Sequence, residues 1–205
     1  VARESIAGSK SITHGYASGG GSPISDVIEK FTFAVDANST DVGNLTVART
    51  SVAGQCSATH GYTSGGTVGG TPASGNRNII DKFTFASDAN ATDVGDSTIA
   101  RTHSSSQTST THGYISGGHI APDSPTNNID KFPFASDSNA TDVGDLTISR
   151  YSPSGQSSST HGYATGGLGG ISSTNDLSNR IDKFTFASDA NATNVGNLVF
   201  ARYRL

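Results

Sequence analysis

The sequence predicts an all-β chain built as a propeller from four copies of one unit, each copy supplying four short antiparallel strands. The first observation is the repeat itself. His14-Gly15-Tyr16, His60-Gly61-Tyr62, His112-Gly113-Tyr114 and His161-Gly162-Tyr163, each followed by a Gly pair, recur at intervals of 46, 52 and 49 residues. The second is composition: of 205 residues 33% are hydrophobic and 15% charged, Gly, Ser, Thr and Asn dominate, and no stretch shows apolar residues at helical spacing. Such a chain cannot build one thick core. Twelve of its fifteen Tyr and Phe residues sit at repeated positions, so its apolar area is shared equally among the copies. The third is the constancy of internal distances. From the first Phe of each Phe-x-Phe pair to the Arg that ends the unit is 18 residues, and from that Arg to the next Tyr is 13, in every copy.

All variation in period falls in one connection, between the Gly pair and the following Ile, where the copies hold 7, 13, 10 and 13 residues. In the second copy the strands are expected at about 52–57, 60–65, 80–85 and 96–100, with the Asp- and Asn-rich segment 87–93 as the turn before the last. The units divide at about 4–49, 50–101, 102–150 and 151–205, a single domain over 1–205. Arg3 closes a unit that lies before the first residue, and the opening segment shows no signal-peptide pattern, so the chain reads as processed or cut from something longer.

Arg49, Tyr62, Gly65-Gly66, Asp81 and Phe83 match, in order and spacing, the pattern of the kelch repeat, which the chain resembles over nearly its whole length. The resemblance implies a four-bladed kelch-like β-propeller, with the first strand of each blade lining a channel and the variable loops on the face that meets a partner. The sequence departs from that family where an aromatic residue, often Trp, opens the fourth strand; Val94 or its followers stand there. The near-identical THGY, SGG and DKFTFASDANATDVG blocks also look like repeats of bacteriophage and other viral structural proteins.

Several residue patterns have a functional and a structural reading. Four His in register suggest imidazole ligands for a metal, against a simple hydrogen bond to a turn. Asp36, Asp88, Asp137 and Asp189 begin Asp-x-Asn-x-Thr-Asp elements, the last ending in Asn194 instead, that are similar to calcium loops, yet they lack the distant bidentate Glu, and Asx-turn chemistry accounts for them. Asn38, Asn90, Asn139, Asn191 and Asn44 open glycosylation sequons. The recurring Arg49, Arg101, Arg150 and Arg202 fit a repeated pair with an Asp. The Gly pairs are expected to let adjacent sheets approach closely, and Gln55, Gln107 and Gln156 to close the channel with hydrogen-bonded amides. A lone Cys56 gives no disulfide.

No metal and no cofactor are therefore expected, and no nucleophile elbow, phosphate loop or paired carboxylates stand outside the repeat. A net charge of -4 offers no basic stripe for nucleic acid, and no run of about 18 apolar residues crosses a membrane. The expectation is a non-enzymatic structural or binding propeller, extracellular or on a virion as a tail fibre or capsid-surface protein. Its partner would be a protein or glycan, other virion proteins or a second copy of itself. The alternative is a cellular or secreted kelch-type adaptor. The candidate partner-binding residues lie in the variable loops: Pro23, Asp26, Thr71, Asn76, Arg77, His119, Asp123, Asn175, Asp176 and Arg180.

Overall fold

A computed structural model of the chain describes residues 2–69, 75–120, 124–169 and 176–203. Among them there is no helix, and four four-stranded antiparallel sheets account for the regular structure apart from one small ribbon. The first sheet holds β1 (Ala7–Lys10), β2 (His14–Ser18), β3 (Val27–Thr32) and β4 (Thr40–Asn44). The second holds β5 (Ala53–Cys56), β6 (His60–Ser64), β7 (Ile79–Thr84) and β8 (Thr92–Asp96). The third holds β9 (Ser105–Thr108) and β10 (His112–Ser116), then, after a ribbon of β11 (His119–Ile120) and β12 (Ser124–Pro125), β13 (Asn128–Pro133) and β14 (Thr141–Asp145). The fourth holds β15 (Ser154–Ser157), β16 (His161–Thr165), β17 (Arg180–Thr185) and β18 (Thr193–Asn197). Each sheet pairs its strands in chain order, and β1, β5, β9 and β15 converge on one cavity, so the arrangement is propeller-like.

The local chemistry explains the hairpins. In the first, Ser11 Oγ accepts from the Thr13 and His14 N–H groups at 3.2 and 3.0 Å, closing a tight turn that Ser57, Ser109 and Ser158 repeat. Gly61 lies opposite Phe83 in the β6–β7 register, and the Phe ring covers it so closely that any Cβ there would collide with it. The repeated Gly of His-Gly-Tyr thus seats its own sheet's Phe rather than a neighbouring sheet. The Gly pairs are turns: Gly65 and Gly66 have φ of 64° and 93°, a region that L side chains adopt at a cost. Gly65 also lets the segment entering the next sheet come close, since a Cβ there would lie 2.7 Å from the Arg101 carbonyl, and Gly54 does the same for the neighbouring channel strand, where a Cβ would enter the Gly8 carbonyl.

The fourth strand lies upstream of its expected place, at Thr92–Asp96 instead of 96–100. The Asp and Asn residues read as a turn cap this strand: Asp93 Oδ1 accepts the Gly95 N–H at 3.1 Å, and Gly95, with φ of 147°, sits against the Ser138 carbonyl of the next sheet. Val94, where the kelch pattern has its aromatic residue, packs with Phe134 beside the core of the second and third sheets.

The core is three copies of one interface. Tyr16, Ile28 and Leu45 of the first sheet bury against Phe83, Phe85 and Ala91 of the second; Tyr62 and Ile80 meet Phe132, Phe134 and Ala140; Tyr114, Ile129 and Leu146 meet Phe184, Phe186 and Ala192. In each, the Tyr ring stacks on the second Phe, with centroids 4.7 to 4.9 Å apart and planes within 24°. Gln55 and Gln107 do not bridge one another across the channel. Their Nε2 atoms donate to the backbone carbonyls of Tyr114 and Tyr163 at 3.1 and 2.9 Å, fastening each sheet to the next.

Candidate functional site

The channel end that faces the variable loops is the most distinctive surface of the molecule. A cavity of about 430 Å³ opens there, lined by the residues that lead into the four channel strands, among them Glu4, Ser5, Ser51, His103, Ser104 and Ser152. Four equivalent positions, Ser5, Ser51, His103 and Ser152, have φ between 52° and 56°, the left-handed region that non-Gly residues rarely occupy. That conformation turns each carbonyl toward the next sheet. Ser51 N–H donates to Ser5 O at 3.0 Å, His103 N–H to Ser51 O at 3.1 Å, and Ser152 N–H to His103 O at 2.7 Å, an arc of hydrogen bonds around the mouth.

His103 is the one departure from Ser at this position. Its Nε2 lies 3.1 Å from Ser51 Oγ and its Nδ1 3.2 Å from Thr102 Oγ1. The Tyr151 ring meets it edge-on at 6.3 Å and meets His119 likewise at 5.1 Å. Bridges join Thr102 to His119 and Tyr151 to Leu168, so the third and fourth variable loops begin against the residues that precede the cavity-lining His103 and Ser152. Comparison among the four copies would have singled out His103; the left-handed Ser positions carry no mark in the sequence.

The predicted loop residues divide. His119 pairs with Thr102 and meets the Tyr151 ring beside the cavity lining, and Asn76, buried, donates from Nδ2 to the His119 carbonyl at 3.0 Å, so it braces two loops together. Arg77 folds back on the Gly75 and Asn76 carbonyls at 3.1 and 3.0 Å. Pro23 and Asp26 line a separate cavity of about 360 Å³ on the first sheet, with Arg3, Glu29 and Asp41. Asp176 is exposed and its carbonyl accepts the Gly169 N–H at 2.9 Å, while Arg180 opens β17. Thr71, Asp123 and Asn175 lie outside the described residues.

The repeated polar residues are spoken for by the scaffold. His14, His60, His112 and His161 each hold the preceding Thr hydroxyl at 2.8 Å, and among the described residues no group of three or more His, Cys, Asp or Glu is placed to hold a metal. Asp88 and Asp137 accept Lys30 and Lys82 of the preceding sheet at 2.5 Å, and Asp189 accepts Lys131. Asn90 Oδ1 accepts the Asn44 N–H at 3.0 Å, and Asn139 and Asn191 do the same for Asp96 and Asp145. Arg49 and Arg150 pair with Asp81 and Asp182 at 3.1 and 3.0 Å, and Arg101 with Asp130, all with side chains wholly buried. Burial pushes the Arg49 and Arg150 guanidinium groups below their ordinary pKa, with the Asp partners pulling the other way.

Burial also holds the His60 and His112 imidazoles below their ordinary pKa, with Lys82 and Lys131 adding to it and Asp137 and Asp189 opposing it. An unfolded chain takes up these protons first as the pH falls through about 6.5, so the two residues draw stability down on the acid side of that value. A modest fall in melting temperature between about pH 7 and 5 is expected, and the double variant His60→Asn, His112→Asn should flatten it.

No helix among the described residues is long and apolar enough to cross a membrane. No family model matches the sequence, and no curated protein does. Among solved structures, that of YjhT is similar with a TM-score of 0.77 at 10% sequence identity, over 97% of this chain and 67% of that one. At this identity the likeness bears on fold alone: with YjhT the chain shares a propeller-like, all-β arrangement of four-stranded antiparallel sheets.

Proposed function

We propose that the chain is a non-enzymatic kelch-like propeller that binds a partner through the face carrying the channel mouth and the variable loops. The observation that carries this reading is the convergence on one face of the polar cavity, the His103–Tyr151–His119 cluster and the connections that differ between copies. A cavity of this size suits a small ligand group. Its serine hydroxyls, the Glu4 carboxylate and the His103 imidazole provide donors and acceptors for hydroxyl groups, and the rings beside them offer flat apolar surface. That chemistry favours a glycan over a protein partner.

A place on a virion surface rests on the likeness of the repeat blocks to viral structural proteins, and recovery of the chain from purified particles checks it. Binding is tested on a glycan array followed by titration of the best sugar. Tyr151→Ala and Ser51→Ala should each weaken binding about tenfold, the loss of roughly 1.4 kcal/mol. Ile12→Ser, on the opposite, turn-bearing end, should leave it unchanged. A sugar bound equally by all three variants, or no sugar bound while a protein partner is captured through this face, would exclude the glycan reading.

A further inference from the structure

Contacts between neighbouring sheets have a direction. The earlier sheet brings its Tyr, its Ile and the end of its outer strand, and it donates: Lys30 Nζ to Asp88 at 2.5 Å, Thr46 Oγ1 to Asp81 at 2.6 Å, Asn44 N–H to Asn90 at 3.0 Å. The later sheet brings the Phe-x-Phe pair and accepts through these three side chains, while its backbone returns bonds to the earlier sheet, such as Ala91 N–H to the Asn44 carbonyl at 2.8 Å. Lys82, Thr98 and Asp96 repeat the pattern on Asp137, Asp130 and Asn139; Lys131, Thr147 and Asp145 repeat it on Asp189, Asp182 and Asn191.

The first sheet therefore shows an uncovered accepting half. Phe31 and Phe33 are 42% and 54% exposed, where Phe83, Phe132 and Phe184 are at most 3% exposed. Glu29, in the place of Asp81, and Asp36, in the place of Asp88, meet no preceding sheet, and the 360 Å³ cavity opens beside Glu29. The last sheet shows the opposite half uncovered, with one change: Val199 stands where Thr46, Thr98 and Thr147 donate a hydroxyl. Val195 and Val199 are 47% and 87% exposed, and Gln156, the counterpart of buried Gln55 and Gln107, is exposed too. Interfaces of this kind bury aromatic area that is costly to leave in water.

We propose that two further four-stranded sheets of the same repeat, carried on the same polypeptide, cover both faces and close the ring. The four sheets overlay 67% of the YjhT chain with 97% of this one, so they fill two thirds of such a structure and leave space for two more. A second copy would bring four sheets to that space and does not fit it. Each face names the chemistry of its occupant: a Phe-x-Phe pair and an acid on the sheet that follows β18, and a Tyr and a hydroxyl donor on the sheet that precedes β1.

The chain has no Trp, so Phe33→Trp places a single reporter on the first face. Its counterpart Phe85 stacks on Tyr16, and the indole should stack in the same way on an added sheet. Appending two copies of residues 102–150 after Arg202 should shift the indole emission to the blue and cut acrylamide quenching several-fold; one copy should leave it exposed. A reporter still exposed with two copies overturns the proposal, as does one buried in the unextended chain as that chain dimerises in sedimentation. The length of the polypeptide as its source makes it gives a measure independent of folding: six repeats are expected, and four, or more than six, refute the proposal.

Discussion

Asp81→Ala is expected to lower the stability of the chain by about 3–5 kcal/mol, because it strands a buried guanidinium. Asp81 and Arg49 are wholly buried in their side chains, and the carboxylate also accepts the Thr46 hydroxyl at 2.6 Å and the Thr46 N–H at 3.0 Å. Arg49 keeps only the Thr63 carbonyl at 2.9 Å once the acid is gone. One residue thus joins the entry of its own sheet to the outer strand of the sheet before. For a domain of this size the loss is on the order of 10 °C in melting temperature, read by calorimetry. Asp81→Asn retains an acceptor and should fall between the wild type and Asp81→Ala. Glu29→Ala, at the equivalent position of the first sheet, should cost about 1 kcal/mol or less. Glu29 pairs with Arg3 at 2.7 Å but is 38% exposed, and water screens such a pair. Equal losses for Asp81→Ala and Glu29→Ala would show that the inter-sheet link is not what stabilises the pair.

The recurring Arg was legible as half of a pair with an Asp because it recurs, but its partner was not: the separations Arg49–Asp81, Arg101–Asp130 and Arg150–Asp182 are 32, 29 and 32 residues and change with the loop between them. The strand content was legible for the same reason, and so were the first three strands of each unit. The fourth begins earlier than expected because Asp93 reads by residue type as a turn former, whereas Asn90 does lie in the connection before the strand. In the structure both spend their side chains on a strand and on the neighbouring sheet, a use set by register and not by composition. The role of Gly61 carried no mark in the sequence. Its partner, Phe83, is 22 residues further on and becomes visible only when β6 and β7 are aligned. The channel mouth was the least legible part. Ser5, Ser51 and Ser152 are ordinary residues in a Ser-rich chain, and what distinguishes them is a backbone conformation and a carbonyl direction. Among the loop residues, His119 lies against Tyr151, while Asn76 ties its loop to His119 and Arg77 folds onto the carbonyls of its own loop.

Phe132→Ala should cost about 3–5 kcal/mol, the range for removing a fully buried aromatic ring. Phe132 is 1% exposed, its ring lies 5.4 Å from that of Tyr62, and it covers Gly113 of its own sheet. Its removal opens a cavity that the sheet on either side can fill only by shifting backbone. Phe31→Ala at the equivalent position should cost about 1 kcal/mol or less in the 205-residue chain, since the ring keeps only its contact with Gly15 and the edge of Phe33, centroids 5.8 Å apart, and half-faces water. The two rings occupy the same place in the repeat, share the same strand register and differ only in whether a preceding sheet covers them. Their difference under urea denaturation therefore isolates the contribution of one sheet-to-sheet contact from that of the sheet itself. A Phe31→Ala penalty as large as that of Phe132→Ala would mean that the first face is covered in solution, and the chain would then have to meet either its own last sheet or another copy there.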